Sequence, residues 1–179
     1  MKIICIGKNY AAHAAEMKSA VPTEPVFFMK PDTALLQKGH DFYYPDFTKN
    51  LHHEVEIVYK VGKMGKHIAL EFALKYISEV GIGIDFTARD LQDKAKEKSL
   101  PWEIAKAFDN AAVVSEFIPL SEVKTGDISF SLDVNGNKVQ QGNTKNMIFS
   151  IEKIIAYVSK FITLKTGDLI FTGTPEGVG

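Results

Sequence analysis

A chain of 179 residues, 45% hydrophobic and 24% charged, has the length and composition of one globular domain with its own core. Its formal net charge of −1 supplies neither the basic footprint of a nucleic-acid binder nor the polybasic arm of a membrane-surface protein. A single cysteine, Cys5, excludes an internal disulfide, and the apolar opening that holds it is too short for a signal peptide or a membrane span, so a reducing cytoplasmic setting is expected.

Residues 2–6 read as a strand stopped by Gly7, with Cys5 as a buried, inert thiol. The alanine-rich stretch 10–17 predicts a helical turn or two, which places His13 and Glu16 on one face. A proline-punctuated loop follows, and the residues between Met17 and Pro25 carry no pattern that would size a pocket. Residues 26–29 predict a buried strand closed by Lys30-Pro31-Asp32-Thr33, and residues 39–50 a loop with a short strand.

Residues 51–59 predict one continuous strand. Val55, Ile57 and Tyr59 then share an apolar face, while His52, Glu54 and Glu56 share the other. Two carboxylates so placed repel unless water solvates them or a cation or strong donors sit between them. Residues 68–80 show helical spacing through Leu70, Ala73, Leu74 and Ile77, with Gly81 as the stop. Residues 82–86 predict a strand carrying Asp85 near its end, and Thr87 is placed to cap a helix over 88–98.

The last third is mostly β, with a hairpin turning at Asn135-Gly136 between strands 128–134 and 138–141. An amphipathic helix over 150–161 starts at Ser150 as its cap, and a strand at 169–171 runs into the glycine-rich loop 172–179. Strands and helices do not alternate regularly. The expectation is a single α+β domain over 1–179 with much antiparallel sheet.

Three groupings could carry chemistry. Glu54, Glu56 and Asp85 are hard oxygen donors suited to Mg²⁺ or Mn²⁺, although Asp85 also fits an ordinary turn or cap acid. His13 and Glu16 fit a base with its orienting carboxylate, or a surface ion pair. Lys106, among Ile104, Ala105, Ala107 and Phe108, either snorkels or presents an ammonium to an anionic substrate. Nucleotide binding is rejected. The terminal loop lacks the Gly-Lys-Ser/Thr ending of a P-loop, and Gly81-Ile82-Gly83 lacks the third glycine of a dinucleotide fingerprint.

Together these segments resemble the fumarylacetoacetate hydrolase family, in particular its short acylpyruvase and oxaloacetate decarboxylase-like members, over nearly the whole chain. The resemblance rests on Ile6-Gly7-Lys8-Asn9-Tyr10 with His13 and Glu16, on Phe28-Met29-Lys30-Pro31-Asp32-Thr33, and on His53-Glu54-Val55-Glu56. It continues through Gly83-Ile84-Asp85-Phe86-Thr87-Ala88-Arg89-Asp90-Leu91-Gln92, Lys98-Ser99-Leu100-Pro101-Trp102 and Ala105-Lys106-Ala107-Phe108-Asp109. It ends with Phe171-Thr172-Gly173-Thr174-Pro175 and Gly177-Val178-Gly179.

The resemblance implies a mixed, largely antiparallel β-roll with a few flanking helices, usually assembled as a homodimer. It implies that Glu54, Glu56 and Asp85 hold Mg²⁺ or Mn²⁺. His13 and Glu16 match a catalytic pair on a lid that orders with substrate, and Lys106 matches an active-site lysine. Arg89, Gln92 and Thr174 match positions that contact substrate. The implied substrate is a small 2-oxo acid, and the leading expectation is hydrolysis of the C–C bond of short acylpyruvates. In that reaction His13 activates water and Lys106 offsets oxyanion charge. Oxaloacetate decarboxylation is an accompanying expectation. An isomerase, decarboxylase or tautomerase of hydroxymuconate-type or other 2-oxo diacids is the alternative, and a non-catalytic ligand-binding domain a lesser one. An all-oxygen site leaves His52 beside the cluster and His53 in a structural role. The family pattern runs on for another strand or two beyond this loop, so closing strands are expected to be missing here.

Overall fold

The computed structural model describes residues 1–17 and 19–179; Lys18, inside the stretch between Met17 and Pro25, lies outside the described residues. In chain order the elements are β1 (Ile3–Gly7), α1 (Ala11–Glu16), β2 (Val26–Lys30), β3 (Leu51–His52), β4 (Val55–Val61), β5 (Ile77–Asp85), β6 (Thr87–Ala88) and α2 (Arg89–Glu97). They continue as α3 (Glu103–Lys106), β7 (Ala112–Val114), β8 (Ile118–Pro119), β9 (Ser129–Val134), β10 (Asn137–Asn143), α4 (Ile151–Phe161) and β11 (Leu169–Phe171).

The main sheet has the strand order β2-β1-β11-β4-β5-β7, with β8 pairing a separate stretch of β5. Its neighbours run antiparallel except β1 and β11, which are parallel because the chain returns to β1 only after crossing the whole domain. The α+β class and the mixed, largely antiparallel sheet expected from the resemblance are both present.

Alternation along the strands sorts two faces. Ile4 and Ile6 of β1 and Val55, Ile57, Tyr59 and Val61 of β4 point into the larger core. There α4 lays Ile151, Ile154, Ile155 and Val158 against them, the stripe read from its spacing. The β9–β10 hairpin covers the same side through Phe130, which meets Tyr10 edge-on with ring centroids 6.5 Å apart. Ile3, Cys5, Val58 and Phe171 form a smaller apolar cluster on the opposite face. Glu56 alternates with Ile57 and so belongs to that second face. The carboxylates therefore stand on the side of the sheet that α4 does not cover.

Several local expectations are corrected. Residues 68–80 are not a helix: a short 3-10 segment spans Leu70–Tyr76, and β5 begins at Ile77. Ala73 and Ile77 are buried and Leu74 packs on the core as the spacing suggests, but Leu70 is about half exposed. Gly81 does not stop the segment; it lies inside β5 opposite Val58, as Gly83, in the strand as expected, lies opposite Glu56. Pairing with β4 outweighs the local helical spacing, as tertiary context commonly does. The strand expected over 51–59 is broken, since β3 pairs β6, β4 starts at Val55, and His53 N donates to Gly179 O at 2.9 Å. Neither expected cap bonds its helix. The Ser150 side chain makes no capping bond, and α2 is preceded by Ala88 because Thr87 is in β6. The hairpin turn stands as read, with Asn135 and Gly136 both at positive φ.

A Cβ at Gly83 would come within 2.7 Å of Val113 O and 2.8 Å of the Phe171 and Val58 side chains. Gly83→Ala is therefore expected to destabilise the fold by about 1–3 kcal/mol, the usual cost of overpacking. The urea unfolding midpoint reads this directly, and an unchanged midpoint would mean that β5 is not pressed at this point.

Candidate metal and catalytic site

Strand register assembles the carboxylates. Val55 pairs Ile84 across β4 and β5, and one step further Asp85 N donates to Glu54 O at 2.9 Å. Glu54 is thus set against Asp85, with Glu56 two residues along the same chain. Ligand atoms of the three acids lie within 4.8 Å of one another, and all three side chains are buried.

Burying three like charges this close is unfavourable without compensation. Three cations supply it. Lys106 Nζ donates to Glu54 Oε2 at 2.8 Å, to Asp85 Oδ2 at 2.9 Å and to Thr87 Oγ1 at 2.5 Å. That accounts for all three ammonium hydrogens and explains why the Thr87 hydroxyl does not cap α2. Arg89 Nη2 pairs with Glu54 Oε1, while its Nη1 donates to Gln92 Oε1 at 2.5 Å and its Nε to His52 Nδ1 at 3.3 Å. His52 therefore stands behind Arg89, as expected of a residue beside the cluster. Burial, then the Arg89 charge, hold its imidazole below the usual range.

The third cation, Lys30, was quoted from the sequence without a role. It ends β2 fully buried, with Nζ 2.7 Å from Asp85 Oδ1 and donating to the carbonyls of Lys106 and Ala111. In the sequence it is a lysine closing an apolar strand, inside the motif Phe28-Met29-Lys30-Pro31-Asp32-Thr33. Asn9 was also missed. Its side chain bonds Phe149 N and O and Thr172 O, fastening the segment after β1 to the far end of the chain. Gln140, buried in β10, bonds Val55 N, Thr174 and Pro175, and nothing in its hairpin pattern marked it.

The protonation states follow from this arrangement. Burial acts to raise the Glu54 carboxyl, but Lys106 and Arg89 outweigh it and hold Glu54 well below the usual carboxylate range. Burial likewise opposes the Lys106 charge, yet Asp85 and Glu54 raise its ammonium above the usual value. Glu56 is different. Among the described residues it touches no cation, and its hydrogen bond comes from Gly173 N, at 2.7 Å. Burial, then Asp85 and Glu54, push its carboxyl well up.

The residues present fit a divalent cation. Asp85 Oδ1 is buried and receives no aligned hydrogen bond despite its proximity to Lys30. Among the described residues Glu56 has no ion-pair partner, and the donor set is all hard oxygen, which suits Mg²⁺ or Mn²⁺.

His13 and Glu16 are brought to the same place by α1. His13 Nδ1 lies 3.1 Å from Glu16 Oε2, and Glu16 Oε1 accepts from Gly177 N at 3.0 Å. With Nδ1 facing Glu16, Nε2 is the free ring nitrogen. His13, the three acids, Arg89, Gln92, Lys96, Lys106 and Thr174 line one cavity of about 230 Å³. The residues that the resemblance places in the site are thus at this cavity or, like Glu16, bonded to its lining. Thr174 is held by its own hydroxyl, which donates to Val55 O at 2.9 Å. Lys106 directs its three hydrogens to Glu54, Asp85 and Thr87, which places its charge at the edge of the acid cluster.

The fumarylacetoacetate (FAA) hydrolase C-terminal family model matches residues 2–179. The chain is 48% identical over 181 residues to oxaloacetate tautomerase YcgM of Escherichia coli (strain K12), covering 99% of this chain and 82% of that one. It is 46% identical over 178 residues to the mitochondrial oxaloacetate tautomerase FAHD1 of Bos taurus, covering 99% and 80%. A crystal structure of fumarylpyruvate hydrolase from Pseudomonas aeruginosa, in complex with Mn²⁺ and pyruvate, matches with a TM-score of 0.95 at 40% identity, covering 100% and 79%. Among the described residues no helix is long and apolar enough to cross a membrane.

A carboxyl whose folded value is raised stabilises the fold fully below its unfolded value, and that contribution is lost as pH rises toward the folded value. The metal-free protein should therefore lose stability toward alkaline pH through Glu56, and the proton must leave when a cation binds. Glu56→Gln is expected to abolish that loss while weakening Mn²⁺ binding by about tenfold or more, the scale of a disturbed ligand environment. Thermal scans against pH with a Mn²⁺ titration check both halves. A variant that melts far below the parent without Mn²⁺ would contradict the repulsion.

Proposed function

Because this chain belongs to the fumarylacetoacetate hydrolase family, we propose that it is a divalent-cation-dependent enzyme of small 2-oxo dicarboxylates that interconverts the enol and keto forms of oxaloacetate. The observation that carries this reading is the His13–Glu16 pair opening onto the same small cavity as the buried triad of acids. Formal charge supports it. Glu54, Glu56 and Asp85 are matched by Lys30, Arg89 and Lys106, so a divalent cation leaves an excess of two positive charges, which a dianionic substrate balances. Lys96 on the cavity wall adds to the attraction for anions. A cavity of about 230 Å³ suits an acid of four to six carbons better than a drug-sized ligand.

When bound, the cation supplies a positive charge that acidifies the C–H beside a 2-keto group. The chain's own residues handle the proton. Glu16, itself fixed by Gly177 N, holds the ring of His13 so that Nε2 faces the cavity. There it returns a proton to C3 as the enol oxygen releases its own to solvent, or runs the exchange in reverse. Arg89, oriented by Gln92 and His52, keeps Glu54 ionised. Gln92, whose Oε1 accepts from Arg89, presents its amide hydrogens to the substrate's carboxylates.

The second reading is the hydrolysis expected from sequence, in which the same oriented His13–Glu16 pair serves as the base for water. His13 would take a proton from water, the hydroxide would attack the distal acyl carbonyl, and the C–C bond would break to give pyruvate and a carboxylic acid. Oxaloacetate is placed first because the relatives at 46% and 48% identity are tautomerases of it, whereas the hydrolase neighbour stands at 40%. The homodimer is carried forward with this reading, and light scattering tests it.

Following the loss of enol oxaloacetate by absorbance should give turnover that a chelator abolishes and Mn²⁺ or Mg²⁺ restores. His13→Ala should lower kcat by about a hundredfold or more, the usual scale of a general acid–base. Chelator-insensitive turnover would refute the cation requirement. Acetylpyruvate cleavage at a higher kcat/KM than oxaloacetate tautomerisation would put the hydrolase reading in first place.

A further inference from the structure

Beyond Phe171, β11 stops pairing with β4, and the last residues of the chain loop away. The β4 backbone groups left open at that point are closed by other means. Ile57 O accepts from Thr172 N at 3.2 Å and Thr172 Oγ1 at 2.7 Å, and Val55 O accepts from Thr174 Oγ1. Val55 N, between the ligands Glu54 and Glu56, donates to Gln140 Oε1 at 2.9 Å. The same carboxamide donates from Nε2 to Thr174 Oγ1 at 2.8 Å and to Pro175 O at 3.0 Å. Both its hydrogens are used, and the side chain is 2% exposed.

The route by which Gln140 arrives there is itself irregular. In the β9–β10 ladder Lys138 pairs Asp133 and Gln140 pairs Leu132, so Val139 is an extra residue on β10. Bulges of this kind re-aim the next side chain and recur beside active sites. Val139 O faces the terminal loop so closely that a Cβ on Gly177, at φ +93°, would meet it at 2.2 Å. The loop therefore lies flat on the bulge. It also delivers Gly173 N to Glu56 and Gly177 N to Glu16.

We propose that Gln140 is a positioning residue that clamps loop 172–177 to the ligand strand and so sets the cation-holding acids and the His13–Glu16 pair in register with each other. Its partners are Val55, which carries the two glutamates on either side, and the Thr174–Pro175 segment, whose flanking glycines bond one acid from each half of the site. The inference rests on the acids being a cation site, and it adds a residue of the separate hairpin to that site.

Two variants test it. Gln140→Met keeps length and removes every hydrogen bond, while Gln140→Glu keeps the acceptor and loses the donors to Pro175 O and Thr174. The measurements are the melting temperature without metal, the Mn²⁺ dissociation constant by water-proton relaxation, and kcat and KM for oxaloacetate tautomerisation. In a folded variant, Mn²⁺ affinity and kcat should each fall about 10- to 100-fold, as for other residues that orient ligands. KM should stay within about threefold, because Gln92 and Lys96, which meet substrate, are on α2 rather than on the clamped loop. Either variant folding with Mn²⁺ affinity and kcat unchanged overturns the proposal, and so does failure of both to fold, since the amide would then be structural. If the parent itself does not bind Mn²⁺, the cation site fails and this inference falls with it; a parent that binds normally beside unchanged variants sinks Gln140 alone.

Discussion

Three carboxylates held within 4.8 Å of one another inside a protein are the demand that the rest of the structure answers. At such separations and in a poorly solvating interior, like charges repel by several kcal/mol unless neutralised. Lys106, Arg89 and Lys30 come from α3, from α2 and from the end of β2. Each is itself buried, which is tolerable only because each finds an acid. Glu56 is the acid left over. Its uncompensated position is a stability defect in the metal-free protein and the feature that a divalent cation would relieve.

The sheet separates this demand from the work of folding. One face, under α4 and the hairpin, carries the larger apolar core and no member of the acid triad. The other keeps a small apolar cluster and gives way to charge near the ends of β4 and β5. Alternation along β4 makes the division possible, because neighbouring residues face opposite ways. Ile57 can then anchor the core while Glu56 faces the site. Cys5 sits under the charged end, where burial and then the Asp85 charge keep its thiol protonated, in keeping with an inert core residue.

The terminal loop gives the site its second dimension. It leaves the β11 ladder next to the ligand strand, and its backbone N–H groups reach both the acid cluster and the catalytic pair. Acid–base chemistry on a bound 2-oxo acid needs those two parts at a fixed separation. A loop fastened by Asn9 at Thr172 and by Gln140 at Thr174 and Pro175 is a direct way to hold it.

Much of the site was legible from the sequence because its chemistry is local. The two-residue spacing of Glu54 and Glu56, the three-residue spacing of His13 and Glu16, and an aspartate ending a strand are each visible in a short window, and the motif order linked them. The hairpin, α4 and the apolar face of β4 were legible for the same reason, since their periods are short. What required the tertiary structure was whatever depends on a distant partner. Residues 68–80 have helical spacing, yet from Ile77 onward they form a strand because β4 is there to pair with them. Gly81 looks like a stop but lies within β5 against Ser115 and Phe117, and Gly83 is room for Val58 and Phe171. Lys30 resembles any lysine after a strand until register puts Asp85 beside it, and Gln140 any hairpin glutamine until a bulge turns it toward Val55. The sequence by itself determined which acids, bases and apolar stripes were available. The pairing of β4 with β5 decided which of them meet, because only register converts spacing along a chain into distance across it.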